Sequence, residues 1–151
     1  QGTWLRGPGI GAEWSRRIAA MYRGWARERN MQTIELDGGS GQAPVVIFSG
    51  FGAHRRLSRE AGLHVLEGGE NGAGRAAARV LAVSVPPGEM PRQRLRALLA
   101  EALAAVPRTG TVVRRYRLGA SPLVRNADGT WRSGKADAIL AGNFDLLAVE
   151  A

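Results

Sequence analysis

Glu13-Trp14-Ser15-Arg16-Arg17-Ile18-Ala19-Ala20-Met21-Tyr22-Arg23-Gly24-Trp25-Ala26-Arg27-Glu28-Arg29-Asn30 is the stretch whose periodicity organises the rest of the chain. Trp14, Ile18, Met21, Tyr22 and Trp25 follow one another at spacings of four, three, one and three residues. That spacing lays one apolar stripe along a helix running to about Asn30, with Arg16, Arg23 and Arg27 on the other side. Large rings on a single stripe need a layer to bury them, so these side chains read as core and not as a cofactor box. Upstream, Gly7-Pro-Gly-Ile-Gly-Ala12 is a loop. Its Gly7-x-Gly9-x-x-Ala12 spacing loosely fits the dinucleotide fingerprint, but residues 1–6 are too short for the buried strand that the fingerprint requires.

Downstream of the helix the pattern turns to strands. Thr33-Ile-Glu-Leu and Ala43–Ser49, which contains Val45-Val-Ile-Phe, are joined across Asp37-Gly-Gly-Ser-Gly and predict an antiparallel hairpin. Ala53–Arg59 fits one or two helical turns, Gly62–Glu67 a strand, Gly68–Gly74 a loop, and Val80–Val85 a strand stopped by Pro86-Pro87. A second helix is expected over 91–106, with Pro91 in its first turn and Leu95, Leu98, Leu99, Ala102, Leu103 and Val106 as its stripe. Thr111–Leu118 alternates as a strand, a polar loop runs to Lys135, and a helix spans Ala136–Leu140 before a Gly142-Asn turn. The strands flanking the 91–106 helix are expected to pair in parallel by a crossover. The whole predicts one α+β domain over residues 1–151, a mixed and mostly antiparallel sheet with helices packed mostly on one face.

Composition narrows the chemistry. The 151 residues carry 21 Lys+Arg against 13 Asp+Glu, a formal charge of +8, with 44% hydrophobic residues. That length supports one domain with a real core, and that hydrophobic content argues against disorder. There is no cysteine, which removes disulfides, Cys-ligated zinc, iron–sulfur clusters and thiol nucleophiles together. No run approaches the ~20 apolar residues of a membrane span. No export signal is visible, so the cytoplasm is the expected compartment. The chain opens on Gln1-Gly-Thr-Trp-Leu without an initiator methionine, which points to a piece of a longer polypeptide.

His54 and His64 are the only histidines, and neither has a second ligand at metal-binding spacing. Glu60, Glu67 and Glu70 show no pairing signature, and no serine stands in a nucleophile-elbow context. The sequence thus predicts no enzyme, no metal and no cofactor. What remains is the arginine. All but Lys135 of the basic residues are Arg, clustered as Arg55, Arg56 and Arg59, as Arg75 and Arg79, and as Arg114, Arg115 and Arg117 beside Tyr116. Such clusters bind RNA through phosphate contacts and stacking, or they are a solvated face in a chain biased toward Arg.

The order of these motifs resembles class I peptide chain release factors of bacteria and organelles. Glu13-Trp14 with Met21-Tyr22-x-x-Trp25-Ala26 is similar to the helix opening that family's second domain. Phe51-Gly52-Ala53, Leu57, Glu60 and Gly62-Leu63-His64 resemble its signature of Gly-Ala-Tyr, Leu, Glu and Gly-Val-His. Gly74-Arg75 and the strand ending at Pro86 follow in the same order. Val113-Arg114-Arg115-Tyr116 resembles Ile-Arg-Thr-Tyr, and Ala138–Leu147 resembles the C-terminal Val-Leu-x-Gly-x-Leu-Asp segment. The resemblance covers about 10–86 and 111–150, and implies the codon-recognition (PCRF-type) fold with Trp14, Met21, Tyr22, Trp25, Gly62, His64 and Tyr116 in structural places.

The departures are as informative. The family inserts a domain carrying Gly-Gly-Gln, whose glutamine serves peptidyl-tRNA hydrolysis, after the strand corresponding to 80–85. Here only 87–110 occupies that place. The family's Pro-x-Thr or Ser-Pro-Phe tripeptide and its His-Thr-Ser have no counterpart in Glu67–Arg79. The resemblance therefore implies a noncatalytic binding module that contacts ribosome or structured RNA. The alternative is a protein-interaction or regulatory accessory domain of a larger protein, such as a Clp-type AAA+ ATPase or chaperone, whose partners would be other domains of the same polypeptide.

Overall fold

A computed structural model of the chain describes residues 10–36, 45–68, 75–82, 91, 93–94, 97–98, 101 and 110–147. Helix α1 spans Ile10–Glu28, with Glu13 in its first turn and Arg27 in its last, each sign matched to the helix dipole. It ends in a Schellman motif: Asn30 takes φ 54°, its N–H reaches Arg27 O at 3.1 Å, and Met31 N–H reaches Ala26 O at 2.9 Å. The helix thus ends at Glu28, two residues before the Asn30 at which the stripe placed its end, and begins at Ile10, ahead of Glu13.

Strands β1 (Gln32–Leu36) and β2 (Val45–Ser49) form the expected antiparallel hairpin, but as a two-stranded sheet of their own. The larger sheet is built from β3 (Gly62–Leu66), β4 (Ala76–Val80), β5 (Val112–Arg117), β6 (Leu123–Asn126) and β7 (Arg132–Ser133), in the order β4-β3-β5-β6-β7. Only β3 and β5 run parallel; the other neighbours are antiparallel. The short α2 (Ala53–Ser58) leads into β3, and α3 (Ala136–Leu140) with a 3-10 turn at Phe144–Leu146 follows β7. The fold is α+β, with a mixed, mostly antiparallel sheet.

Three expectations are corrected. The strand placed at 80–85 lies at Ala76–Val80, and Leu81 and Ala82 already stand outside it. Ala76 and Ala78 are buried where α1 crosses β4, and only small side chains let a helix bearing two tryptophans approach that strand. The parallel partner of β5 is β3, not the strand preceding the 91–106 segment. The stretch read as a polar loop before Lys135 holds the β6–β7 hairpin, turning at Asp128-Gly129, with Gly129 at φ 76°. Of the helix expected over 91–106, Gln93, Arg94, Ala97, Leu98 and Glu101 are helical and exposed, and the remainder lies outside the described residues, as do the loop at 69–74 and most of 87–110.

The core lies between α1 and one face of the larger sheet. Trp14, Ile18, Met21, Tyr22, Trp25 and Ala26 from α1 meet Ala76, Ala78, Tyr116 and Val124 from the sheet and Ala136, Ile139, Leu140, Phe144 and Leu147 from the C-terminal segment. Trp25 stacks on Phe144 at 5.8 Å between ring centres. This packing depends on two glycines. A Cβ on Gly24 would run into Ala141 O, and one on Gly142, which takes φ 104°, would run into Trp25 N. Backbone therefore meets backbone where α1 crosses the end of α3, and larger residues at either place would push the two apart.

Candidate functional site

Beneath α1 the core contains an ionic cluster. Glu60 and His64 stand four residues apart at the α2–β3 junction, Arg114 and Tyr116 on the inward face of β5, and Tyr22 on α1. All are buried. Arg114 grips Glu60 with two hydrogen bonds, Nη1 to Oε1 at 2.9 Å and Nη2 to Oε2 at 2.7 Å. Arg114 Nη1 also donates to the Tyr116 hydroxyl at 2.8 Å, and the Tyr22 hydroxyl donates to Glu60 Oε1 at 3.1 Å. His64 Nε2 lies 2.7 Å from the Glu60 carbonyl, which can only accept, so Nε2 carries the proton. Nδ1 then accepts from the Tyr116 hydroxyl at 2.9 Å. The chain Arg114, Tyr116, His64, Glu60 carbonyl is satisfied donor by donor.

Burial sets the protonation states. It pushes Tyr22 and Tyr116 well up, reinforced at Tyr22 by the Glu60 charge, so both stay neutral phenols. Burial works against the Glu60 carboxylate, but the hydrogen bonds and charge of Arg114 overcome it and hold the group below the usual carboxylate range. Burial likewise opposes the Arg114 cation, and Tyr116 and Glu60 more than offset it. His64 is pushed down to about 4 by burial, with the Glu60 charge only partly opposing. The cluster locks α1, the α2–β3 junction and β5 into one arrangement. It offers no exposed nucleophile or acid.

A pH dependence follows from His64. The unfolded side chain takes up a proton near pH 6.5, whereas the folded one refuses it until about pH 4. Stability is therefore expected to fall as the pH drops through that window, with a slope of at most ~1.4 kcal/mol per pH unit from this group. Glu60, whose folded value is depressed, adds a further loss at the acid end. Urea unfolding from pH 7 to 4 measures the slope, and His64→Gln should flatten it. An equal slope in the variant would mean that other groups cause it.

The opposite face of the sheet is different. Cross-strand register aligns Ala77, Val65, Arg115, Arg125 and Arg132 in one row from β4 to β7. Arg79 stands opposite Leu63, and Arg117 opposite Leu123, on the same face. Adjacent strands are about 5 Å apart, so the row sets three arginines side by side on neighbouring strands, and like charges placed opposite each other destabilise a sheet. Among the described residues one carboxylate pairs with this row: Glu67, whose Oε2 lies 3.1 Å from Arg125 Nη2.

The expected RNA-facing arginines thus divide into groups. Arg114 is removed from the set, because the alternation of β5 turns it inward onto Glu60. Arg79, Arg115 and Arg117 share the outer face, and Arg75 is exposed just ahead of β4. Arg55, Arg56 and Arg59 sit on and beside α2, with Arg56 half-buried over the Phe144 ring at 5.0 Å. Arg125 and Arg132 were missed, since their segment reads as a loop; the Asp128-Gly129 dipeptide, a strong hairpin signal, would have placed them. The residues singled out by family motif are in tight places: Trp14, Met21, Tyr22, Trp25, His64 and Tyr116 are buried, and a Cβ on Gly62 would come within 2.6 Å of Thr111 O. His54 is exposed, near Ser58 Oγ. Among the described residues no cluster of His, Asp or Glu could hold a metal ion, and no helix is long and apolar enough to cross a membrane.

No family model and no curated protein sequence matches the chain. Among solved structures it is similar to RF2 of Thermus thermophilus, with a TM-score of 0.62 at 16% identity. The match takes in 95% of this chain and 63% of that one, so the chain spans less than two thirds of its structural neighbour's length. At that identity the likeness concerns the backbone, and agreement over nearly the whole chain is agreement in topology. The chain has a release-factor-like fold.

Proposed function

We propose that the chain is a noncatalytic, release-factor-like binding module that contacts ribosomal or other structured RNA through the outer face of its larger sheet. The observation that carries this reading is the cross-strand row of Arg115, Arg125 and Arg132. Three adjacent cations with one carboxylate among them cost stability in the free protein, and a phosphate backbone is a partner that offsets the repulsion. Guanidinium groups bind phosphate in bidentate fashion, which suits arginine better than lysine to this role. The formal charge of +8 adds long-range attraction to a polyanion. No Gly-Gly-Gln tripeptide occurs in these 151 residues, which supports binding without peptidyl-tRNA hydrolysis.

Co-sedimentation with ribosomes and filter binding to structured RNA test the reading. Affinity should fall steeply as salt rises, and the double variant Arg115→Gln/Arg132→Gln should shallow the log–log salt slope by roughly 1–2 while leaving the fold intact. Failure to bind any RNA at low salt overturns the proposal in favour of an accessory protein-interaction domain.

A further inference from the structure

A cleft of about 130 Å³ opens where the last turn of α2 faces the start of β5 and the end of β6. Arg56, Arg59, Glu60, Arg114, Asn126 and Trp131 line it. Its charges do not balance. Three arginines and one carboxylate line it, and both oxygens of that carboxylate are already taken, Oε1 by Tyr22 and Arg114 and Oε2 by Arg114. Asn126 is engaged too, its amide donating to Thr130 Oγ1 and its carbonyl accepting from Trp131 N–H. His64 behind the cluster is neutral at pH 7 and adds no charge. Among the described residues no carboxylate forms an ion pair with Arg56 or Arg59. Arg56 Nε is buried with no hydrogen-bond partner, while the Phe144 ring fixes the guanidinium from one side.

The local sum is three positive charges and one negative. A dianion neutralises the remaining two; a carboxylate, with one charge, does not. Among biological anions small enough for this cleft, a phosphate monoester carries close to two negative charges above its second pKa of about 6 and offers oxygens that two guanidinium forks can share. We propose that this cleft is a binding site for a phosphate monoester, held between Arg56 and Arg59. Phosphodiesters, with a single charge, fit the balance less well. The group could be supplied free, on a nucleotide, or as the 5′-phosphate of an RNA end. The site stands apart from the outer-face arginine row and does not require that row to bind RNA.

Calorimetric titration of the full chain with inorganic phosphate and with 5′-AMP tests the site. Anisotropy of one short RNA, carrying either a 5′-phosphate or a 5′-hydroxyl, tests the third source. We expect saturable binding of at least one of these three probes near pH 7.5, weakening for the two monoesters as the pH falls through about 6 and the phosphate takes up its second proton. Losing one charge-assisted partner in Arg59→Gln or Arg56→Gln should weaken it on the order of tenfold or more. Arg59 is exposed, so its variant keeps the fold, and thermal melts check Arg56→Gln. A preference for free phosphate, for AMP or for the phosphorylated RNA identifies the source. The Arg115→Gln/Arg132→Gln variant, which weakens RNA binding through the outer face, should leave the binding of inorganic phosphate and of 5′-AMP unchanged, so failure of the outer face and failure of the cleft are read separately. Absence of saturable binding by inorganic phosphate, 5′-AMP and the 5′-phosphorylated RNA alike, or binding undiminished in both single variants, overturns the proposal.

Discussion

Glu60→Ala is expected to destabilise the protein by about 3–5 kcal/mol, the range for breaking a buried ion pair by removing one partner. Glu60 is 1% exposed and Arg114 6%, so the guanidinium left behind stays largely out of water. It keeps the Tyr116 hydroxyl at 2.8 Å as an acceptor but loses the two-pronged grip on the carboxylate. Tyr22 loses its acceptor as well. Urea unfolding followed by circular dichroism measures the loss. A second variant shows whether charge or shape matters: Glu60→Leu with Arg114→Met removes both charges, and should recover most of the stability because neither ion is left unpaired. If Glu60→Ala costs under about 1 kcal/mol, water reaches the pair in solution and the cluster does not lock α1 to the sheet.

That result also bears on what the sequence could disclose. In β5 the alternation of Val112, Arg114 and Tyr116 against Val113, Arg115 and Arg117 was legible, but both faces carry arginine, so the pattern did not say which one turns inward. Tyr116 decides it: its ring packs against Trp14 at 5.1 Å, and Arg114 follows it inward to meet Glu60. Glu60 and His64, read one at a time, are a scattered acid and a lone histidine. Their partnership depends on the parallel pairing of β3 with β5, and the sequence reading assigned that pairing to another strand.

Elements with strong local signals were legible. The stripe of α1, the β-branched run of β2, the ends of α3 and its Gly142 turn follow from residues close in the chain. The Gly142 turn is made by Gly142 N–H to Ile139 O at 2.9 Å and Asn143 N–H to Ala138 O at 3.1 Å. β4 was displaced by several residues, because Ala76-Ala-Ala has little strand preference of its own and is a strand only through pairing with Leu66, Val65 and His64. β6 and β7 are short and mixed in polarity, and their pairing supplied the arginines of the outer face that composition alone could not position. The charge was readable as a quantity; its arrangement required the register.

Trp14→Ala is expected to cost about 3–5 kcal/mol, as truncation of large buried aromatics does. The ring is 2% exposed, stands edge-on to Tyr116 at an interplanar angle of 69°, and donates its indole N–H to the His64 carbonyl at 2.9 Å. Truncation therefore opens a cavity over the ionic cluster and takes away that carbonyl's side-chain donor together. Trp14→Phe separates the two effects: it keeps an aromatic ring but not the N–H, and should lose less, with ~0.5–1.5 kcal/mol of the cost coming from the missing hydrogen bond. The ordering Ala worse than Phe, both worse than wild type, places the helix stripe in the core. A cost under about 1 kcal/mol for Trp14→Ala would put the ring at the surface in solution. The stripe that organises the chain would then be a docking face for a partner, and α1 would not be the lid over the Glu60–Arg114 pair.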